Sequence, residues 1–440
     1  MNRLLRIASF SAASALGLTV IAGHSQTNPM REINRVAGPA TIQTIAISGA
    51  TLIDGRGGPP VADTVVVIHG EKIIAAGPRA STPIPKNAGV VEARGLTLIP
   101  GLIDSHFHLD GDDLLPALYL SHGVTSVRDP GAWIEAYDAV RKSGTMIPRL
   151  FLAGPHLDTP PPAYPHDAFI VRDAEETEIA VNRFIDQGAS VIKVYFRLPL
   201  GLIRVATETA HARGVPVTAH LEIVDAADAI RAGVDGIEHV TSFGTTLLPS
   251  RDAERYRQSV LADNNARREG RYQVWSEIDL ASPRVHQLLE MIARRGTFIS
   301  PTLAVFEKQL GDQHATEMHI RAFRQMLKFV GMAKRAGAPI VVGSHSSVPY
   351  ADRGWAYQRE LELLVESGLT PMEAIVAGTM ENARFFRISD RLGSIEAGKM
   401  ADLILIDGDP LKKIAVMRQV KRVMLNGQWV ESNLKESKAR

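Results

Sequence analysis

A pair of histidines near residue 100 could hold a metal ion. His106 and His108 form an H-x-H sequence at the end of the apolar run 96–103. Side chains alternate along an extended strand, so both imidazoles are expected on one face. Imidazole is the commonest side-chain donor to metals at neutral pH, and two of them on one face make half of a metal site. The pair therefore predicts a metal centre near residue 106.

Three more histidines lie where short apolar stretches end. His220 and His239 each close a strand-like segment, and His345 follows the run 340–343. Any one of the 14 histidines could be a packed or surface residue, but so many at strand ends are improbable by chance. The carboxyl ends of parallel strands meet on one face of a barrel, where catalytic residues sit. We therefore expect these histidines to share one site with His106 and His108.

A lysine inside an apolar strand is the next candidate. Lys193 lies in the segment 189–196, which is otherwise apolar apart from Ser190 and Tyr195. A buried ammonium group is costly unless it is paired, so one interpretation is an ion pair with a carboxylate. The other is a lysine of lowered pKa that adds carbon dioxide, which would give an anionic oxygen bridge between two metals.

The segments that must position these side chains alternate between strand and helix. Between residues 100 and 387, short apolar strands are followed by amphipathic stretches, a pattern typical of parallel βα units. Eight such units over roughly 290 residues predict an α/β fold with a (β/α)8 TIM barrel. A doubly wound open sheet is the alternative, but it would normally carry a Gly-rich phosphate loop after its first strand. Strand ends are expected near His108, Asp129, His156, Tyr195, His220, His239, Thr302 and His345.

Both ends of the chain are rich in β-strand patterns. Residues 41–99 and 388–433 each hold too few strands for a stable sandwich, so we predict that they form one composite β-sandwich. Residues 26–40 are expected to be a linker, and residues 434–440 a frayed tail. The polar insertion 244–296 is either a solvated helical excursion or a lid over the mouth of the barrel.

The first 25 residues predict a secretory signal peptide. Arg3 and Arg6 precede the uncharged, small and apolar stretch 7–23, and Gly23 and Ser25 suit cleavage near residue 25. A single membrane anchor is the alternative, but the stretch is short and rich in serine, alanine and glycine. We therefore expect an exported protein, periplasmic or secreted, with no membrane contact after cleavage.

The composition excludes several classes of protein. The chain has no cysteine, which excludes disulfides, thiolate zinc sites and cysteine nucleophiles. Its net charge is +1, and loss of two arginines with the signal would leave −1, so no polyanionic partner is implied. No basic stripe with interleaved aromatic residues is present, so nucleic acid is not an expected partner. Homo-oligomer formation stays open.

The ordered set of motifs resembles the metal-dependent amidohydrolase superfamily. The branch that it resembles contains imidazolonepropionase-like enzymes and lysine-bridged prolidases. The resemblance covers nearly the whole chain after the signal and rests on residues 47–55, 100–108, Lys193, 218–220, 236–239 and 392–403. It implies a barrel with a composite β-sandwich, and hydrolysis of an amide bond in a small molecule by metal-activated water. The substrate classes implied are a dipeptide, an N-acyl amino acid or a cyclic amide.

The resemblance also assigns metal ligands. His106, His108 and Lys193 would hold one divalent ion, and Lys193, carboxylated on its side-chain nitrogen, would hold a second ion with His220 and His239. Zinc is the default metal for such nitrogen and oxygen ligands, and manganese, cobalt and iron stay open.

The chain departs from the family pattern at the eighth strand. The family has a Gly-Thr-Asp type of segment there, whose aspartate binds metal and accepts the proton of the attacking water. Residues 343–345 read Gly-Ser-His, so His345 takes the position of the aspartate. A neutral histidine makes the site more positive by about one charge, and moves the proton shuttle to a group with an ordinary pKa near 6.5.

This substitution leaves three hypotheses. The first is a working amide hydrolase in which His345 and Lys193 are catalytic. The second is the same chemistry on a lactone or another ester. The third is a metal- or ligand-binding barrel that has lost turnover with the aspartate.

Four further residues are weaker candidates. Tyr195, His156 and Thr302 stand at predicted strand ends and could contact substrate. Asp104 could orient a ligand imidazole from behind. A packing role is an equal alternative for each. Glu238 is expected to point away from the site, because it immediately precedes His239.

Overall fold

The computed structural model describes residues 28–34 and 36–431. The predicted signal peptide, residues 1–25, and the predicted tail, residues 434–440, lie outside these described residues. Within the described ranges, no helix is both long enough and apolar enough to cross a bilayer.

The described part of the chain alternates strands and helices. The strands are β1 (Thr44–Leu52), β2 (Val61–His69), β3 (Lys72–Pro78), β4 (Gly89–Glu92), β5 (Leu96–Pro100), β6 (Leu102–Asp104), β7 (Val124–Asp129), β8 (Arg149–Leu152), β9 (His156–Asp158), β10 (Ala168–Ile170), β11 (Ile192–Val194), β12 (Val217–His220), β13 (Gly236–Glu238), β14 (Phe298–Ser300), β15 (Leu403–Asp407), β16 (Val420–Leu425) and β17 (Gln428–Trp429). The α-helices are α1 (Leu115–Ser121), α2 (Asp138–Lys142), α3 (Ala174–Gln187), α4 (Leu200–Ala212), α5 (Ala226–Arg231), α6 (Gly244–Leu247), α7 (Ser250–Ala262), α8 (Ala266–Glu277), α9 (Pro283–Arg295), α10 (Leu303–Phe306), α11 (Glu317–Arg335), α12 (Ala356–Glu366), α13 (Pro371–Val376) and α14 (Asn382–Phe385).

The two ends of the chain meet in one mixed β-sheet. Its strand order is β17-β16-β15-β5-β1-β2-β3, with β4 paired to β1. Strands β5 and β15 join the two ends in antiparallel register. The register of β1 against β2 shifts on both sides of Ala50, and such bulges bend a strand. The ends therefore pair with each other in one hydrogen-bonded sheet, and the composite β-sandwich stays a prediction. On one edge, β1 pairs first with β4 and then with β5.

The middle of the chain carries two parallel sheets. One has the order β6-β7-β8, and the other has the order β10-β9-β11-β12-β13-β14. Backbone hydrogen bonds join them on both sides. Ser190 N donates to Leu152 O over 2.7 Å on one side. On the other side, Val341 N donates to Ile299 O and Ser105 N donates to Val342 O, each over 2.9 Å. The prediction of an α/β fold with parallel strands is confirmed.

Three site residues interrupt the regular backbone at the strand ends. His239, Thr302 and His345 have positive φ angles of 66°, 47° and 60°. A left-handed backbone is uncommon for residues other than glycine and is concentrated at functional sites. The sequence predicted that this strand ends at His239. The left-handed backbone at His239 explains why β13 ends one residue earlier, at Glu238.

Two segments outside the sheets pack closely against them. Residues 28–34 belong to the predicted linker, yet Met30 is buried and its N–H donates to Phe386 O over 2.9 Å. The insertion 244–296 contains helices α6 to α9. Its fully buried Trp275 packs on Phe329 of α11, with ring centroids 5.4 Å apart. This contact fixes α8 beside the ends of the parallel strands.

Candidate metal centre and active site

A cavity of about 730 Å³ lies at the carboxyl ends of the parallel strands. Eight of the ten predicted site residues line it: His106, His108, His156, Lys193, Tyr195, His220, His239 and His345. The other two, Asp104 and Thr302, lie behind this wall. The convergence expected from the sequence is therefore present in the structure.

His106 and His108 are spaced as two ligands of one ion would be. The Nδ1 atom of His106 is 2.6 Å from Oε2 of Glu238, so its other ring nitrogen is the candidate ligand atom. That Nε2 atom lies 3.1 Å from Nε2 of His108. In a tetrahedral zinc site with Zn–N bonds of roughly 2.0–2.1 Å, neighbouring nitrogens stand about 3.3 Å apart. The pair therefore fits a shared ion, and Glu238 fixes the orientation of one imidazole.

His239 and His345 form a second group with His106. One ring nitrogen of each of these three histidines lies within 4.8 Å of the others. Thr302 Oγ1 is 2.7 Å from Nδ1 of His239, which leaves Nε2 as the ligand atom. The Nδ1 atom of His345 is buried without a hydrogen-bond partner among the described residues. An unpartnered imidazole nitrogen inside a histidine cluster suits metal binding or proton transfer.

His220 and Lys193 extend the site away from His345. The ring of His220 lies 4.4 Å from that of His239, and its Nδ1 atom has no hydrogen-bond partner among the described residues. Lys193 Nζ is 3.7 Å from Oε1 of Glu238. Glu238 therefore connects the lysine to His106. The ion-paired interpretation of Lys193 agrees with this contact.

Because the site is buried, the neutral forms of most of its basic side chains are favoured. Burial lowers the pKa of four imidazoles well below its ordinary value: those of His106, His220, His239 and His345. Burial also lowers the pKa of Lys193 to about 7, against the opposing effect of the Glu238 carboxylate. Neutral imidazoles are the metal-binding form, so the cluster requires little proton release to accept a cation.

His108 differs from the other site histidines. Its Nδ1 atom is 3.6 Å from Oδ1 of Asp129, and this side chain is a quarter exposed. Burial opposes the charged form, but the hydrogen bond and the charge of Asp129 outweigh it and raise the pKa of His108. Asp129 itself is fixed by the Tyr137 hydroxyl, which donates to it over 2.7 Å. The carboxylate orients the imidazole from behind, as ligand histidines require.

Glu238 and Arg128 are site residues that the sequence reasoning missed. Glu238 was expected to point away from the site, and this is wrong, because its Oε1 atom lies 2.6 Å from Nη2 of Arg128 and its Oε2 atom contacts His106. The left-handed backbone at His239 breaks the strand alternation, so that residues 238 and 239 both reach the site. Arg128, buried inside β7, was the available signal, since a buried guanidinium needs an acidic partner.

Asp104 and Thr302 support the site from outside the cavity wall. Asp104 Oδ1 accepts hydrogen bonds from the backbone N–H of His106 (3.0 Å) and of Ser344 (2.9 Å). It therefore positions two backbone segments, whereas a contact with an imidazole was expected. Thr302 was expected to contact substrate, but its hydroxyl contacts His239 and the residue is fully buried. Both side chains therefore stabilise neighbouring parts of the site.

The two remaining candidates and the insertion complete the cavity. The rings of His156 and Tyr195 lie 4.1 Å apart, and Tyr195 lies 4.7 Å from His220. Burial, the largest cause, lowers the pKa of His156 to about 3. Helix α8 of the insertion supplies the facing wall through Arg267, Arg271 and neighbouring residues. The insertion therefore covers the site, and its role as a moving lid stays a prediction.

The donor set fits a divalent metal centre. It combines neutral imidazoles with ring nitrogens of His220 and His345 that have no hydrogen-bond partner among the described residues. A carboxylate and a hydroxyl each orient one candidate ligand histidine. Parallel strands that end in such a cluster, inside a covered cavity, define an α/β protein with a candidate metal site at its strand ends.

Comparison with known proteins identifies the family. The sequence profile of the Amidohydrolase family matches residues 97–430. The chain belongs to the amidohydrolase family, and the resemblance inferred from the motifs is confirmed.

Individual relatives agree with this assignment. An N-acyl-D-aspartate deacylase of Alcaligenes xylosoxydans xylosoxydans is 34% identical over 212 residues, which cover 46% of this chain and 37% of the deacylase. An ochratoxinase of Aspergillus niger is 23% identical over 446 residues, covering 86% of this chain and 84% of that protein. The crystal structure of a Xaa-Pro dipeptidase superposes with a TM-score of 0.69 at 24% identity, covering 88% of this chain and all of that one. The structural likeness supports the fold, and the chain spans little more than a third of the deacylase.

The hydroxyl behind His239 gives a prediction about metal affinity. Replacing Thr302 with valine removes the partner of His239 Nδ1 while keeping the side-chain shape. Loss of such a supporting contact weakens metal binding by roughly 10–100-fold. Competition with a chelator measures this affinity. Thr302→Ser keeps the hydroxyl and serves as the matched control; equal affinity in the valine variant and the wild type would contradict the role of Thr302.

Proposed function

We propose that this protein is a metal-dependent hydrolase of amide C–N bonds in small molecules such as dipeptides and N-acyl amino acids. The observation that carries the proposal is the cluster of neutral histidines around Glu238 and Lys193 inside a covered cavity. The names of the relatives support it, since a deacylase and a dipeptidase act on acyl–nitrogen bonds. The same chemistry on a lactone or another ester is the second candidate.

We also propose that the two parallel sheets close into a (β/α)8 barrel. The support is the hydrogen bonding that runs from β6 through β7 and β8 to β11, and on through β12, β13 and β14 to the segment 340–342. Ser105 N then returns to Val342 O. Eight strand positions joined in one circuit are the arrangement of such a barrel.

Two divalent ions, zinc by default, are proposed as cofactors. His106 and His108 would hold one ion, and His220 and His239 the other, with Lys193 between them. A bound ion would polarise the scissile carbonyl and acidify a water molecule. The lowered pKa of Lys193, about 7, leaves a neutral amine fraction near neutral pH. That amine can attack carbon dioxide and release one proton, which gives the proposed carbamate.

The remaining chemistry belongs to the side chains of the cavity. His345, with its unpartnered Nδ1 atom, is proposed to accept the proton of the attacking water and donate it to the leaving amine. Asp104 positions the backbone before His345 through its bond to Ser344 N. Tyr195 and His156 are proposed to contact the substrate from the wall beside His220. We also propose that the protein is exported, and the predicted signal peptide, residues 1–25, is the sole support for this proposal.

One experiment tests the proposed function. The purified protein is analysed for bound metal by elemental analysis and assayed on a panel of dipeptides, N-acyl amino acids and matched esters. We expect bound divalent metal, amide hydrolysis, and loss of both when the protein is treated with a chelator. Hydrolysis of esters without any amide would favour the second candidate. Bound metal with no turnover on the panel would favour a barrel that has kept its ligands and lost catalysis.

A further inference from the structure

Two arginines of the insertion face the metal cluster across the cavity. Arg267 and Arg271 are one turn apart on α8, and both line the cavity. Residues four apart on a helix share one face, so the positive charges of both guanidinium groups lie on the side of α8 that faces the cavity. Neither arginine has a role in the proposed hydrolysis so far.

Arg267 is a buried cation that forms no ion pair within the described part of the chain. The residue is 2% exposed, and its Nε atom has no hydrogen-bond partner among the described residues. Its Nη1 atom donates to the Asn264 carbonyl over 3.3 Å, and the guanidinium stacks 5.3 Å from the ring centroids of Tyr164 and Phe196. Burial raises the pKa of the nearby Asp158 to about 7, so this carboxyl is ionised in only part of the molecules at neutral pH. A buried charge of this kind is costly unless an anion joins it.

Arg271 is linked to the candidate metal ligand His220 through Glu222. Its Nε atom donates to the Arg267 carbonyl over 2.9 Å, and its guanidinium lies 5.3 Å from the ring centroid of Phe306. Its Nη2 atom is 3.5 Å from Oε1 of Glu222. The side chain is 13% exposed, so it reaches the cavity surface, and Glu222 satisfies only one of its donor groups.

The position of Arg271 matches the dimensions of a small acylated amino acid. Oε1 of Glu222 lies 3.5 Å from Nη2 of Arg271 and 3.3 Å from Nε2 of His220. The distance between Arg271 Nη2 and His220 Nε2 therefore cannot exceed the sum of these two distances. In an N-acyl α-amino acid, three bonds separate the scissile carbonyl carbon from the carboxylate carbon, a span of about 3–4 Å. A substrate carbonyl beside the metal ligands would therefore place its carboxylate within reach of Arg271.

We propose that Arg271, supported by the charge of Arg267, binds a substrate carboxylate next to the scissile amide. This inference rests on the proposed function and narrows it to N-acyl amino acids or dipeptides with a free carboxylate on the leaving amine. A guanidinium binds a carboxylate through two parallel N–H···O bonds, which gives direction as well as charge. Neutral cyclic amides and lactones lack this group and would be poor substrates.

The test compares matched substrates that differ only at the carboxylate. N-acetyl amino acids of both configurations and their C-terminal carboxamides are assayed with the metal-loaded wild type and with Arg271→Gln, Arg271→Lys and Arg267→Met. We expect the wild type to prefer the carboxylates by roughly 10–100-fold in kcat/KM, mainly through KM. Arg271→Gln should lose most of that preference, so that its kcat/KM on the carboxylates falls towards its own value on the carboxamides, whereas Arg271→Lys should keep part of the preference.

Controls separate failure of the inference from failure of the proposed function. Arg255→Gln changes an exposed arginine of α7 in the same insertion and should behave as the wild type. Thermal stabilisation by an N-acetyl amino acid, but not by its carboxamide, provides a binding measurement for any variant that has lost turnover. Equal hydrolysis of both substrates by the wild type, or an unchanged preference in Arg271→Gln, overturns the inference and leaves the amide hydrolase standing. No hydrolysis of any amide overturns the proposed function itself.

Discussion

Replacing Glu238 with glutamine is expected to lower the free energy of unfolding by about 3–5 kcal/mol, the usual cost of breaking a buried ion pair. One carboxylate serves three partners, since it contacts Arg128 and His106 at 2.6 Å and Lys193 at 3.7 Å. Glutamine keeps the shape and one acceptor oxygen but removes the negative charge. Arg128 would then remain fully buried inside β7 without the carboxylate charge that it contacts at 2.6 Å.

The measurement is the midpoint of thermal and urea unfolding, together with the metal content of the folded protein. Glu254→Gln is the matched control, because Glu254 is exposed on α7 and its loss should leave the midpoints unchanged. We also expect the glutamine variant to bind metal less tightly, since Glu238 orients His106. Wild-type stability in Glu238→Gln would show that the three contacts contribute little and that another group compensates Arg128.

The shared position of the histidines on one cavity wall could be predicted because their signals are local in the sequence. The spacing of His106 and His108, and the ends of short apolar runs at His220 and His239, follow from strand geometry alone. Parallel strands bring their carboxyl ends together, so residues more than a hundred positions apart could be placed on one cavity wall. The α/β fold follows from the same alternation of strand and helix.

The directions of several side chains could not be predicted, because they depend on single backbone angles. A residue with positive φ ends the period-two alternation, and nothing in the sequence around His239 or Thr302 marks such a turn. The inward position of Glu238 and the supporting role of Thr302 both follow from these angles. The approach of Arg267 and Arg271 depends on how α8 packs on α11 through Trp275, which is a tertiary contact between distant segments.

The charges around the cavity are organised in two regions. Glu238 and Asp129 lie behind the imidazoles and compensate the positive charge that metal ions would bring. Arg267 and Arg271 lie on the facing wall, where Glu222 forms an ion pair with Arg271. A substrate with one carboxylate would balance the positive charge of the arginines, just as divalent cations would balance the negative charge of Glu238 and Asp129.

His345→Asp is expected to lower kcat by roughly 100–1000-fold while the protein still folds and binds metal, since a positioned general acid–base group contributes about 10²–10⁴-fold. The backbone at His345 has φ of 60°, a region in which aspartate, asparagine and histidine are all enriched among residues other than glycine. The substitution therefore tests the side chain without straining the backbone.

The surroundings of His345 are built for an imidazole. Its ring stacks on that of His106, with centroids 5.3 Å apart and an angle of 12°, and it meets His108 edge-on at 4.9 Å. Aspartate is shorter, forms neither ring contact, and adds a negative charge that the proposed transfer of a proton to the leaving amine does not need. His345→Asn separates the two effects, because it has the size of aspartate without its charge. We expect both variants to retain metal and to lose turnover, as measured by elemental analysis and by kcat on the best amide substrate. A gain of activity in His345→Asp over the wild type would instead mean that the histidine had silenced an ancestral hydrolase, because the only change would be the return of a carboxylate to a metal site that is otherwise complete.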